Sequence, residues 1–410
     1  MRPTILLTET LRLPSIALLA LDFANAGIKV SAVCPSRHPL MKTHAAEKTF
    51  RYSGCRPLAS LVAAIDATRP HIVIPCDDRA VQHLHELHGR ACRQGAAGRS
   101  LVALIENSLG LAEGYAIVSS RYGLLRVARE LGLLVPDVTP IDTADDLKQW
   151  QQRQPFPWVL KADGTFGGHG VKIAHTLEQA VEFVSRLSQF YTGGRAVKRL
   201  LVNRDAFWLR PWWNGSRPAI SVQSYIHGRP ANCAALCWKG KVLALIGVEV
   251  VGAAGETGSA CVVRVVDNAS MKLCAERIAH RLNLSGFFGL DFMIEDATGL
   301  AYLIEMNPRP TRLSHLRLGK GRDLIGALCS EVLGQPFEET LPVTQNAMIA
   351  YFPDAWDCQS EFLEACFHDV PSAEPDLMQE LRRPWPTGSW LWRLFDQLGR
   401  LKGNSPLSQQ

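Results

Sequence analysis

Short apolar runs and longer amphipathic ones alternate through the first part of the chain. Residues 4–7 predict a strand, 14–26 a helix that starts at a proline and stops at Gly27, and 28–33 a second strand. Residues 59–68 read as a helix and 71–75 as a third strand, ending in Cys76-Asp77-Asp78. This βαβ rhythm predicts a small parallel sheet with helices on both faces. No Gly-x-Gly-x-x-Gly turn follows the first strand, so the unit is not read as a dinucleotide site. Ligands of open α/β sheets bind at strand C-terminal ends, which makes Glu9, Asp77 and Asp78 candidates. Solvated loop carboxylates are the alternative.

The pattern changes after Ser120, where a helix runs from Arg121 to Glu130. Residues 158–161 and 171–174 then read as two strands around Gly164, Thr165, Gly167, Gly168 and Gly170. Such glycines leave backbone N–H groups free to wrap phosphate oxygens, and Lys161 at the strand's edge can place an ammonium beside them. The loop joins two strands, and no Gly-x-x-x-x-Gly-Lys-Ser/Thr occurs, which argues against a Walker-type NTPase. Residues 191–217, with Trp208, Trp212, Trp213 and six arginines or lysines, form a long stretch that the family resemblance given below implies is an insertion near a lid, covering a second substrate. An ordinary folded excursion with buried tryptophans is the alternative.

Residues 286–312 carry the densest chemistry. Two half-apolar runs, 289–295 and 301–306, flank Asp296-Ala297-Thr298-Gly299, whose composition suits a tight turn. A turn centred near Thr298 sets Asp291 across from Glu305, and strand alternation puts Asn307 on the same face as Glu305. Two carboxylates and an amide are hard oxygen ligands that suit Mg²⁺ shared with phosphates. Arg309 follows and could grip an anion beside the metal. An edge hairpin with an exposed acidic face is the alternative.

Composition changes this picture little. Of 410 residues, 47% are hydrophobic and 20% charged, as in ordinary globular proteins of two or three domains. The net charge of +5 includes no dense Lys/Arg block, so no nucleic-acid partner is expected. Eleven cysteines without a Cys-x-x-Cys pair predict reduced thiols and a cytoplasmic protein. Cys233 and Cys237 read as core. His83 and His85 point about 200° apart on a helix, so they and His88 cannot share an ion; a solvated helix is expected. Residues 390–402 form an amphipathic stretch whose default is docking on its own domain, with membrane-surface contact as a minority reading.

Glu305-Met306-Asn307-Pro308-Arg309, with Asp291 fourteen residues upstream, resembles the metal-binding signature of ATP-grasp enzymes. The likeness is greatest to their carbamoyl-phosphate-synthetase-like branch, down to Arg312. The resemblance implies that Arg121 meets the ATP phosphates and that the glycines form a flexible lid. It also implies that Ser224 and Ile226 line an adenine hinge. The acidic residue usual near the hinge is replaced by Ser224, Ala231 and Asn232, so either nucleotide affinity or preference is altered or Glu249 or another carboxylate holds the ribose.

The implied fold is α/β and α+β. A small parallel-sheet pre-ATP-grasp domain (1–115) precedes an ATP-grasp domain of two α+β subdomains (116–345), whose lid lies within 150–225. A C-terminal extension follows (346–410). The implied function is an ATP-dependent carboxylate–amine ligase, with small-molecule acid and amine substrates and an acyl-phosphate intermediate. Asp291, Glu305 and Asn307 would hold one or two Mg²⁺ ions, Mn²⁺ being an acceptable substitute. Arg309, Lys161 and Arg312 are the catalytic candidates. His315 is expected to be structural. An enzyme using bicarbonate through carboxyphosphate, and a nucleotide-binding regulatory module, are the alternatives. The oligomeric state is open, a homodimer included.

Overall fold

The structure, a computed structural model, describes residues 2–164, 170–188, 192–203, 205–253, 258–335, 341–358 and 360–383. The expected glycine-loop residues Thr165, Gly167 and Gly168, and the amphipathic stretch 390–402, lie outside the described residues.

Four strands form the first sheet: β1 (Thr4–Thr8), β2 (Lys29–Cys34), β3 (Ala46–Arg51) and β4 (Ile72–Pro75). They lie parallel in the order β3-β2-β1-β4. Three strands were expected. The additional one, β3, reads AEKTFR and is largely exposed at the sheet's edge, so it lacks an apolar run to announce it. Alternation along β1 serves two cores. Leu6 faces Leu58, Leu61 and Leu84 of the flanking helices. Ile5 and Leu7 face the opposite way, into a core shared with Phe287, Leu236 and Ile246 of the central sheet. Phe23 meets Phe287 edge-on at 6.2 Å. The first unit is therefore seated on the strand that later carries Asp291.

The second sheet, expected to carry the lid, has β5 (Val138–Ile141), β6 (Trp158–Ala162), β7 (Val171–Ala174) and β8 (Ile220–Ser224), all antiparallel in the order β5-β8-β6-β7. The two strands expected around the glycines are β6 and β7, with Lys161 opposite Val171. Trp158, Leu160 and Val222 are buried against Leu147, Trp150 and Ala180 from two helices.

The third sheet joins β9 (Gly228–Trp238), β10 (Lys241–Ala253), β11 (Ala260–Val265), β12 (Gly286–Glu295), β13 (Ala301–Asn307), β14 (Met348–Tyr351) and β15 (Phe367–Asp369). Its order is β13-β12-β9-β10-β11-β14-β15. Helices Arg121–Glu130 and Ala269–Leu282 cover one face, packing Leu124, Leu125 and Ile278 on Phe288, Leu290 and Phe292. The segment expected as a C-terminal extension begins inside this sheet, since β14 pairs with β11. No helix among the described residues is long and apolar enough to cross a membrane.

Insertion 191–217 reaches the first unit. Arg79 pairs with Asp205 at 2.7 Å, and its guanidinium lies 4.3 Å over the Phe207 ring. Its tryptophans are not buried as the folded-excursion reading required: Trp213 is 81% and Trp212 37% exposed.

Gly286 sits where the first unit meets β12. Its φ is +86°, and a Cβ there would lie 2.4 Å from the Ser108 carbonyl oxygen. Ser108 in turn accepts from the Val73 N–H at 2.9 Å through its hydroxyl. Gly286→Ala is expected to destabilise the fold by about 1–3 kcal/mol. The check is the midpoint of urea unfolding, which should fall.

Candidate active site

The hairpin of β12 and β13 pairs as its turn predicts, with Asp291 opposite Glu305 and Gly289 opposite Asn307. One feature was not legible in simple alternation. The register shifts between Asp291/Glu305 and Phe292/Leu303, so β13 carries an extra residue, Ile304. Such a bulge reverses the inside–outside order along a strand. Ala301 and Leu303 before it, and Met306 after it, all join the same apolar core. Glu305 and Asn307 are thereby turned out of that core on the same side as Asp291. Two adjacent apolar residues, Leu303-Ile304, were the available signal.

Asn307 Nδ2 donates to Asp291 Oδ2 at 3.0 Å, and Asn307 Oδ1 accepts from Arg309 at 3.2 Å. Burial, reinforced by the neighbouring Glu305 charge, pushes the Asp291 carboxyl up to about 6. Asn307, Lys161 and Arg309 oppose the rise and do not cancel it.

Three cations converge on this face from three different elements. Arg121, at the first turn of its helix, donates to Glu305 Oε1 at 2.7 Å and to the Ala162 carbonyl, and stands 3.6 Å from Asp163. Lys161, at the end of β6 and only 4% exposed, donates to the carbonyl of Ile304 at 3.2 Å. The acceptor is thus the carbonyl of the bulge's extra residue. Burial lowers the Lys161 pKa, with Arg121 adding to the effect and Glu305 opposing it. Arg309 Nε donates to Asp78 Oδ1 at 3.0 Å, linking the face to the start of the helix Asp78–Arg93.

The remaining candidates are placed differently. Arg312 pairs with Asp354, and its guanidinium lies 5.6 Å over the Tyr351 ring. Gly164 and Gly170 flank the glycine segment, and Gly164 takes a φ of +75° that suits glycine. Ser224 ends β8, and its N–H donates to the Asp137 carbonyl at 2.9 Å, so that donor is not free for a purine edge. Ile226 lies in the crossover to β9, between Tyr225 and His227, whose rings meet at 4.9 Å. Glu249 stands 3.6 Å from Arg229. His315 is buried against Asp369 at 3.0 Å, which fits a structural role.

Glu9 and Asp77 are not solvated loop carboxylates; they are 1% and 2% exposed. Glu9 meets His38 at 2.6 Å, and Asp77 caps its helix through the Ala80 N–H at 2.8 Å. Of the three, Asp78 alone reaches the site. The histidine helix is likewise not solvated. His83 bonds the Tyr52 hydroxyl at 3.0 Å, His88 bonds Glu106 at 2.9 Å, and His85 stacks on Tyr115 at 3.9 Å. Among the described residues no group of three or more His, Cys, Asp or Glu side chains is disposed to hold a metal. The Asp291 face has two such carboxylates and completes its set with an amide. Sequence reasoning passed over Asp163 and Asp354, whose partners Arg121 and Arg312 are distant in the chain.

A model of the ATP-grasp domain matches residues 211–312. Over 208 residues, 49% of this chain and 17% of the relative, the sequence is 24% identical to the carbamoyl phosphate synthase large chain of Thermoanaerobacter pseudethanolicus. The chain thus spans about a sixth of that curated relative. Among solved structures, N5-carboxyaminoimidazole synthetase from Staphylococcus aureus, complexed with ADP, is similar with a TM-score of 0.58 and 14% identity. That likeness covers 83% of this chain and 81% of the other. An L-amino acid ligase from Bacillus licheniformis follows with a TM-score of 0.54 and 12% identity, covering 83% and 76%. The matched segment contains β12, β13 and every residue of the carboxylate–amide face, and the three-sheet architecture is shared with these enzymes. Residues 211–312 of this chain thus match the ATP-grasp domain, and its fold is similar to that of ATP-grasp enzymes.

Proposed function

We propose that the chain is an ATP-dependent ligase that joins a small-molecule carboxylate to an amine through an acyl phosphate. The observation that carries this reading is the convergence of Lys161, Arg121 and Arg309 on the face formed by Asp291, Glu305 and Asn307. Phosphoryl transfer needs little covalent chemistry from a protein and much charge neutralisation and positioning. These residues can supply both.

The donor set fits a hard divalent cation: two carboxylates and an amide oxygen, one carboxylate raised to about 6 by burial and its neighbour. Asp291, Glu305 and Asn307 would hold one or two Mg²⁺ ions, which supply countercharge to the phosphates. Lys161 and Arg121 would bind phosphate oxygens, together with the backbone of the glycine segment. Ser224 and Ile226 would border the base, Ile226 offering the backbone contacts. Arg309, fixed between Asp78 and Asn307, would meet the phosphoryl group as its charge shifts. Arg312 would hold the acid.

In the reaction an oxygen of the substrate carboxylate attacks the γ-phosphorus and ADP leaves. The amine nitrogen then attacks the acyl carbon, phosphate departs, and the ammonium proton is lost. Water must be kept from the acyl phosphate, a task for the lid sheet and its glycine segment.

A second reading replaces the carboxylic acid by bicarbonate. It is favoured by a solved neighbour, the biotin carboxylase domain of a 2-oxoglutarate carboxylase from Hydrogenobacter thermophilus, described in complex with MgADP and bicarbonate. ADP release measured across acids paired with amines separates the two. A requirement for both partners supports the ligase, and release driven by bicarbonate alone supports the second reading.

Two variants test the site. Glu305→Gln keeps an acceptor for Arg121 and removes the charge, and ADP release should fall at least about a hundredfold. Unchanged release would displace Glu305 from the site. Asp291→Asn tests the electrostatics without turnover. Asp291 keeps its proton up to about 6 when folded and only to its ordinary 3.8 when unfolded. Between those values the folded chain binds more protons, so stability falls as pH rises through that window. Removing the charge should therefore stabilise the metal-free protein by about 1–3 kcal/mol at pH 7.5 and by nothing near pH 3. Urea unfolding at the two pH values reads this, and a destabilised variant at pH 7.5 would contradict it.

A further inference from the structure

Cys261 and Cys358 are 97 residues apart in sequence, yet their sulfur atoms stand 2.7 Å from one another. Cys261 lies on β11, which pairs on both sides, with β10 and β14. It is only 1% exposed. Cys358 ends the short helix Asp354–Asp357 and is half-buried. That helix is held by Trp356, whose ring meets Phe352 at 5.4 Å and His368 at 4.9 Å. Both thiols belong to one small core with Val262, Ala350 and Ala355. At 2.7 Å the two sulfur atoms are within reach of a covalent bond of about 2.05 Å.

We propose that Cys261 and Cys358 form a reversible disulfide, driven by a hydroperoxide or a small-molecule disulfide as oxidant. Cys358 is the more accessible sulfur and takes the first step. Its attack on a hydroperoxide breaks the O–O bond, giving a sulfenic acid and releasing water or an alcohol. Cys261 then displaces hydroxide from that sulfur, and its proton leaves with the hydroxide as water. Two thiols lose two electrons and two protons, which the peroxide accepts. With a small-molecule disulfide, Cys358 forms a mixed disulfide and Cys261 expels the second thiol. Burial, with a smaller contribution from Cys358, pushes the Cys261 thiol up, so Cys261 is the poorer first nucleophile of the two.

The bond would fasten helix Asp354–Asp357 to the central sheet. Asp354, its first residue, is the partner of Arg312. Oxidation would therefore hold that ion pair closed and keep Arg312 from an incoming anion, a consequence that rests on the ligase reading. The cross-link itself does not.

The test uses the full chain, oxidised with equimolar hydrogen peroxide or with oxidised glutathione, then alkylated, digested without reductant and mapped by mass spectrometry. The expected result is a loss of 2 Da in one peptide pair joining Cys261 to Cys358, reversed by dithiothreitol and absent in Cys358→Ser. Cys366→Ser, which removes the third thiol of the same core, should retain the link. The proposal is overturned if Cys261 and Cys358 are recovered unlinked while the exposed Cys55 and Cys92 are oxidised. It is also overturned if Cys366 is the partner found. Turnover enters neither readout, so a failure of the ligase reading would leave the result standing.

Discussion

The site depends on one pairing, that of β12 with β13, and on the single extra residue within it. Had β13 run without its bulge, Ala301 and Leu303 would share a face with Glu305, and either the core or the site would be lost. Inserting Ile304 lets Leu303 and Met306 both face the core while Glu305 and Asn307 face Asp291. Lys161 from β6 donates to the carbonyl of that extra residue. A local irregularity in one hairpin therefore sets the carboxylate face and also ties it to a second sheet.

Charge explains why the surrounding elements gather there. Asp291 and Glu305 share a partly buried surface, and their mutual repulsion adds to the burial that raises Asp291. Arg121, Lys161 and Arg309 offset it, and each arrives from a different element. Arg121 also bonds the Ala162 carbonyl, so β6 and the β12–β13 hairpin are held by one guanidinium. Arg309 is oriented by Asp78 at the end of the first sheet. The first unit thus contributes a carboxylate to the site and a seat for Phe287 beneath it.

Much of this was legible in the sequence. The βαβ rhythm, the two strands around the glycines, and the Asp291–Glu305 juxtaposition all follow from periodicity and turn chemistry, because each is local. What escaped was non-local or unpatterned. Strand β3 is a charged edge whose partner is β2, and nothing in AEKTFR alone favours a strand over a loop. The docking of the insertion onto Arg79 joins residues 126 apart. Solvated carboxylates were one reading of Glu9 and Asp77, and their burial depends on His38 and Thr10, which no spacing rule connects. The Ser224 N–H is likewise engaged by the carbonyl of Asp137, just before β5, a pairing between distant residues that no local spacing announces. The resemblance supplied roles for Arg121 and the hinge that their own residue types do not.

The central claim is that Asp291, Glu305 and Asn307 form one divalent-cation site in the presence of ATP. Electron paramagnetic resonance of Mn²⁺ titrated into the protein with a non-hydrolysable ATP analogue tests it most directly, comparing the native chain with Asn307→Leu. The account predicts an immobilised Mn²⁺ signal in the native protein and affinity about 10–100-fold weaker in the variant. Equal Mn²⁺ affinity in the two proteins, with the analogue bound to both, would place the cation elsewhere and contradict the account.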